Sequence, residues 1–212
     1  MTVPIVRYGY VSNVINKNII NKERIFIMTD FKIHTVETAP EGSKEILAGA
    51  KKSLGFIPNL YGIMAEAPTA LKAYNGLSDN FEKSSFNSTE KQIVLLATSY
   101  VNGCNYCMAV HSTIGQMHKV PQDVIDALRN NKPVADAKLE TLRKFVNAVV
   151  EKRGWVSDSE VEDFLSIGYS KAQLLEVVVG VTQKTLSNFI NHIVKTPLDA
   201  AFEPNKWEEV YA

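Results

Sequence analysis

Gln92-Ile-Val-Leu-Leu-Ala-Thr-Ser-Tyr-Val-Asn102-Gly103-Cys104-Asn-Tyr106-Cys107-Met-Ala-Val-His111 is the stretch on which the reading of the chain turns. Its first part is an apolar run without the strict alternation of a half-buried strand, and it reads as a buried helix. Asn102 and Gly103 then form a helix-ending pair, with Gly103 suited to a left-handed C-terminal cap. A second helix must begin at once, with Cys104 at or beside its first turn. A helical residue advances about 100° and about 1.5 Å, so positions three, four and seven apart share one stripe. Cys104, Cys107 and His111 have those separations. Unpaired backbone N–H groups and the positive end of the helix dipole favour a thiolate at such a start. The spacing predicts an activated dithiol with an imidazole in reach.

Helical spacing continues on both sides of this stretch. Upstream, Asn87-Ser-Thr-Glu90 supplies N-cap chemistry, with Glu90 three residues after Asn87 and Gln92 three after Thr89. Breakers divide the remainder into helices over 41–54, ended by Gly55, over 58–67, closed by Pro68, and over 69–83. Downstream, helices are predicted over 120–130, 136–153 and 157–168, and the longest over 170–195, stopped by Pro197. No hairpin or strand pattern stands out after residue 40, and the fold class is all-α. Phe56, Leu60, Tyr74, Phe81 and Phe86 are assigned to the core. Displaced by 81 positions, His192 falls on His111, Asn188 on Cys107, Thr185 on Cys104 and Gln173 on Gln92, which suggests two related helical halves, the second without thiols.

Residues 1–27 differ in character: a β-prone segment is followed by an asparagine-rich one, and no role can be read there. Met28-Thr-Asp-Phe opens like a second start, so 1–27 is taken as an extension and 28–212 as the functional domain. The 212 residues suffice for a substantial core, and the 23 basic and 23 acidic side chains leave no surplus charge for a polyanion. Nucleic acid is therefore not an expected partner. Two cysteines do not make the framework of a secreted mini-domain, and neither a signal peptide nor a membrane-length apolar run is present, which points to the cytoplasm and away from a membrane.

A buried cysteine is often only a small hydrophobe, but a pair at this spacing with a histidine favours redox chemistry. A metal site is the nearest rival, with Cys104, Cys107 and His111 as three ligands. His118 cannot be the fourth on a continuous helix, since fourteen residues at about 1.5 Å put it roughly 21 Å from Cys104. Haem attachment needs a histidine where Met108 stands. His34 and His118 are read as surface residues, and His192 as a structural residue near a helix end. No metal and no cofactor are expected.

Gln92, Cys104, Cys107 and His111 in this spacing, preceded by Ser88-Thr-Glu90 and spanning Asn102-Gly103, resemble the carboxymuconolactone decarboxylase superfamily, specifically its alkyl hydroperoxidase D-like, peroxidase-related branch. The resemblance runs from about Phe31 to Trp207 and takes in Leu54-Gly-Phe-Ile-Pro-Asn59 and Asn191-His192. It implies an all-helical bundle of the alkyl hydroperoxidase D-like type and a homo-oligomer, trimer or hexamer. It also implies a dithiol that reduces small hydroperoxides or disulfides and is itself re-reduced by a protein or dithiol partner.

In that family the second cysteine, here Cys107, attacks peroxide, Cys104 resolves the sulfenic acid, and His111 relays protons. Proximity to the helix dipole alone would name Cys104 the nucleophile, so the two arguments choose different sulfurs. Two departures stand out. The relay carboxylate falls at Gln92, whose amide orients a proton but cannot take one up, and Glu90 lies about 200° away round the helix. Tyr106 replaces a histidine found between the cysteines in some members. Both changes predict a weaker peroxidase with more weight on dithiol–disulfide exchange. The alternatives are a carboxymuconolactone decarboxylase-like lyase, disfavoured because no arginine flanks the motif, and a non-catalytic oligomeric module with the dithiol as sensor.

Overall fold

The computed structural model describes residues 31–208, and within them every regular element is a helix, with no strand. The elements are α1 (Glu41–Leu54), α2 (Asn59–Met64), α3 (Pro68–Glu82), α4 (Ser88–Val101), α5 (Asn105–Met117), α6 (Gln122–Arg129), α7 (Ala137–Glu151), α8 (Asp158–Ser166), α9 (Lys171–Val194) and a closing 3-10 segment, Ala200–Asn205. The all-α class expected from the apolar spacing is what the chain adopts. The extension 1–27 and the alternative start at Met28 lie outside the described residues.

Local chemistry accounts for most boundaries. At the start of α4 the Asn87 side chain accepts from Glu90 N–H while the Glu90 carboxylate accepts from Asn87 N–H, each at 3.0 Å. Ser157 with Glu160 and Ser170 with Gln173 repeat the arrangement at α8 and α9. Two expectations shift for physical reasons. Pro68 opens α3 rather than closing its predecessor, because a proline in the first helical turn loses only an N–H that would be unpaired anyway. α2 is correspondingly short. α9 stops before Pro197, where Lys195 takes a left-handed conformation with φ 51°.

Two apolar clusters form the interior. One gathers Phe81, Ile93, Leu96, Met108, Leu142, Phe145 and Phe164. The other gathers Leu47, Leu60, Met64, Leu71 and Tyr74 and includes Cys104, Tyr106 and Cys107. Of the residues assigned to the core, Leu60, Tyr74, Phe81 and Phe86 are buried, while Phe56 is half-buried and packs its ring 5.8 Å from that of Phe202.

α9 crosses the bundle at Gly180, where an added Cβ would fall 2.7 Å from both Phe81 and Val94. Only glycine admits that approach to α3 and α4. One turn later, Lys184 is delivered into the interior. Under the 81-residue displacement, the break at Gly103 between α4 and α5 corresponds to Lys184 in an unbroken α9.

His34 corrects the surface assignment. It is buried, its Nε2 lies 2.7 Å from Glu66 and its Nδ1 2.9 Å from the Thr38 carbonyl. The cause is Gly62, whose missing Cβ lets the His34 backbone approach and donate to the Gly62 carbonyl at 3.0 Å. His118 and His192 are exposed. Among the described residues, no single helix is long and apolar enough to cross a membrane.

Candidate active site

The dithiol is built by the break between α4 and α5. Gly103, at φ 66°, turns the chain, and Cys104 N–H closes the end of α4 by donating to the Ser99 carbonyl at 2.9 Å. Cys104 thereby becomes the N-cap of α5 and Cys107 lies in its first turn. Asn102 fastens the corner to α9, its amide donating to Asn188 Oδ1 at 2.9 Å. Both cysteines are free thiols and each is only 1% exposed.

The two sulfurs are not equivalent. The Asn191 side-chain amide donates to Cys107 Sγ at 3.3 Å and lies 3.7 Å from Cys104 Sγ. Ser187 Oγ is 3.7 Å from Cys107 Sγ. Burial resists ionisation of Cys107, but the Cys104 thiol donating to it, the Lys184 ammonium and Ser187 outweigh burial and hold it well below the ordinary thiol range. The Cys104 thiol moves the opposite way, pushed up by its hydrogen bond to Cys107 and by burial. At the N-cap it makes no geometrically complete capping hydrogen bond, and the pull of the Cys107 backbone N–H is weaker than the two effects that push it up. The anion belongs on Cys107.

His111 and Gln92 join the pair, so all four residues singled out in the sequence meet in one site. His111 Nε2 lies 2.9 Å from Lys184 Nζ, and Nδ1 lies 3.2 Å from Gln92 Oε1. Burial, reinforced by the Lys184 charge, pushes the His111 imidazole well below its usual value and keeps it neutral. An ammonium donor at Nε2 leaves the ring proton on Nδ1, where Gln92 Oε1 accepts it. Glu90, the alternative carboxylate, is committed to the cap of α4.

Sequence reasoning missed the contribution of α9. Lys184, Ser187, Asn188 and Asn191 are buried and recur at helical spacing, a polar stripe inside an otherwise apolar helix. That stripe was the available signal. Buried Gln183 Oε1, Asn188 Nδ2 and Asn191 Oδ1 on this part of α9 have no hydrogen-bond partner among the described residues. Tyr74 closes another side, its hydroxyl pushed up by burial and by the neighbouring Cys107.

Two further residues lie outside the dithiol network. Tyr106 is tied away from the thiols, donating to Asp199 Oδ2 at 2.6 Å. An arginine does reach α5 from outside the motif: Arg129 donates to Ser112 Oγ at 2.8 Å. It also donates to the carbonyls of Asn205 and Lys206, and so fixes the C-terminal segment. Among the described residues, no three His, Cys, Asp or Glu side chains are placed to hold a metal ion.

Residues 65–151 match the carboxymuconolactone decarboxylase family. No curated protein matches the chain in sequence. Solved structures share the fold. A peroxidase-related protein with an alkylhydroperoxidase AhpD core from Ralstonia eutropha superposes with a TM-score of 0.74 at 18% identity, covering 82% of this chain and 93% of its own. A peroxidase-related protein from Silicibacter sp. gives 0.70 at 17% identity over 82% and 93%. The debrominase Bmp8 gives 0.66 at 18% over 78% and 90%. The resemblance drawn from the dithiol motif holds for the fold, and the family match at 65–151 takes in the motif itself.

Proposed function

We propose, for a chain whose residues 65–151 belong to the carboxymuconolactone decarboxylase family and whose fold is of the alkyl hydroperoxidase D-like type, a thiol-dependent oxidoreductase that reduces hydroperoxides or disulfides. The observation that carries the reading is the inequality of the two sulfurs: in one buried site Cys107 Sγ takes the Asn191 amide at 3.3 Å and has Ser187 Oγ at 3.7 Å, while Cys104 Sγ lies 3.7 Å from that amide, which favours a thiolate on Cys107 beside a Cys104 thiol. A thiolate is the nucleophile in sulfur chemistry, and a neighbouring protonated thiol is the resolving partner. Cys107 attacks the peroxide oxygen, releases the alcohol and becomes a sulfenic acid. Cys104 then displaces water to give the disulfide. A protein or small dithiol restores both thiols.

His111, held by Gln92 and Lys184, orients the proton network beside Cys107. The unpaired amide atoms of Gln183, Asn188 and Asn191 offer hydrogen bonds to the polar end of a substrate. That a debrominase shares the fold adds organobromides to the electrophiles worth assaying. A homo-oligomer is supported by the apolar side chains that α9 leaves exposed at Leu175, Val178, Phe189 and Ile193, and the resemblance makes it a trimer or hexamer. Light scattering tests it. A reducing, cytoplasmic setting suits a dithiol that works by cycling.

Turnover of hydroperoxides and disulfides with a dithiol donor, for the wild type, Cys107→Ser and Cys104→Ser, tests the function. Cys107→Ser is expected to abolish turnover. Cys104→Ser is expected to stop after one equivalent of peroxide, leaving a sulfenic acid that a dione reagent traps. Turnover unchanged in both variants overturns the reading.

A further inference from the structure

Lys184 is buried almost completely, at 1% exposure, yet among the described residues none of its hydrogen bonds goes to a carboxylate. A buried ammonium without an opposite charge is costly, so the site must supply an anion. The groups facing Lys184 can be enumerated by element. α5 brings Cys104, Cys107 and His111. α2 brings Tyr61, behind which stands Asp79 of α3. α3 also brings Tyr74, beside the sulfurs, and α4 brings the neutral amide of Gln92. Burial keeps both tyrosines as phenols and His111 neutral. The Cys107 thiolate is the remaining counter-ion: Lys184 is bonded to His111, one helical turn from Cys107, and its charge helps to hold that thiol down.

That pairing has a consequence when the thiolate is consumed. We infer that Lys184 is the proton donor of the dithiol cycle, giving its proton to the leaving oxygen as Cys107 loses its charge, in the place that a relay carboxylate would hold at Gln92. The inference rests on the dithiol reading. Its balance closes: ROOH, Cys107–S⁻, Cys104–SH and Lys184–NH3⁺ give ROH, water, the Cys104–Cys107 disulfide and Lys184–NH2. The peroxide O–O bond breaks and takes two electrons, the S–S bond forms and loses two, and the third proton in the products is the one from Lys184. The buried site is neutral before and after. Reduction of the disulfide by a dithiol returns two protons, one to Cys104 and one to Lys184. His111 Nε2, at 2.9 Å from Nζ, accepts from the ammonium and holds it in place.

The test is an equilibrium with dithiothreitol between about pH 5.5 and 7.5, below the ordinary thiol value of about 8.5, with thiolate absorbance read on the same samples. Dithiothreitol gives up two protons with its two electrons. A wild type that takes up two protons therefore shows an equilibrium constant independent of pH, while thiolate absorbance persists throughout. A constant for reduction that rises tenfold per pH unit means that only one proton is taken up, and overturns the inference. Loss of thiolate absorbance in the wild type overturns it as well. If no disulfide forms with either peroxide or oxidised dithiothreitol, it is the dithiol reading that fails. Lys184→Arg keeps the charge but cannot release a proton, so it is expected to keep the thiolate and acquire the tenfold-per-unit dependence. Lys184→Met covers the case in which arginine does not fold. It is expected to lose thiolate absorbance at pH 7 and at least about a hundredfold in peroxide rate, and retention of both overturns the inference.

Discussion

Tyr106, although it stands between the two cysteines in sequence, donates its hydroxyl to Asp199 at 2.6 Å. Asp199 in turn accepts from Asn59 N–H at 3.0 Å, so one tyrosine joins the first turn of α5 to the start of α2 and to the turn before the closing 3-10 segment. Its aromatic ring packs 6.5 Å from Phe202. Tyr106→Phe leaves a buried carboxylate oxygen unpaired and is expected to cost about 1–3 kcal/mol in denaturant unfolding. Alkylation of Cys107 should proceed at the wild-type rate. A slowed Cys107 with unchanged stability would instead give Tyr106 a part in the chemistry.

Asn191 binds both sulfurs through one amide. Hydrogen bonds to charged groups contribute about 1.5–3 kcal/mol, so Asn191→Leu is expected to move the Cys107 thiol–thiolate balance about tenfold to a hundredfold toward the thiol. An ultraviolet titration of the thiolate reads this directly as a midpoint at higher pH. A superimposable titration curve would remove the amide from the account of thiolate stability.

Gly180 and Gly76 separate helix propensity from packing. Alanine favours a helix over glycine by about 1 kcal/mol at either site. At Gly180 the new methyl group meets Phe81 and Val94 at 2.7 Å, and overpacking of that kind costs about 1–3 kcal/mol, so Gly180→Ala is expected to destabilise. Around Gly76 nothing lies within 4 Å of the added Cβ, and Gly76→Ala is expected to stabilise by about 0.4–1 kcal/mol. Thermal melts of the two variants should shift in opposite directions.

Glu140 and Arg143 form a buried, two-pronged ion pair, Arg143 donating to the two carboxylate oxygens at 2.8 and 2.7 Å. Val134 N–H adds a third hydrogen bond at 2.8 Å. Burial raises the Glu140 carboxyl, but Arg143 and Val134 prevail and hold it below the usual carboxylate value. A group depressed in the folded state stabilises above its unfolded value and loses that contribution as the pH falls through the folded one. Glu140→Gln is therefore expected to be less stable than wild type at pH 7, with the gap closing below about pH 4.3. Arg143→Leu strands the carboxylate and should cost about 3–5 kcal/mol at pH 7. A gap for Glu140→Gln that does not change with pH would contradict this assignment.

Helix positions were legible because caps and breakers are local. Asn87, Gly55, Gly103, Ser157 and Ser170 act on neighbours within a few residues, and each marks an end where the structure has one. Cys104, Cys107 and His111 were legible for the same reason, since three- and four-residue spacings fix a helical stripe. Gln92 was reached through the family pattern, and the fold then placed it on His111. Lys184 was not legible. A lysine in a helix is ordinarily solvated, and only the close approach at Gly180, which is a tertiary fact, drives this one inward. His34 was misplaced for a related reason: its burial depends on Gly62, and nothing in its own surroundings in sequence announces the space.

The partners gathered around the Cys107 sulfur are distant in the chain, with Asn191 separated from it by 84 positions. During synthesis Cys107 therefore emerges from the ribosome well before α9 exists. At about 5–20 residues per second, the interval is roughly 4–17 s. Throughout it Cys107 lacks its lysine and its amide, and behaves as an unassisted thiol of about 8.5, mostly protonated and slow to react. On the proposed function, the nascent chain thus carries its nucleophile in a dormant form, and docking of the last long helix is the event that arms it.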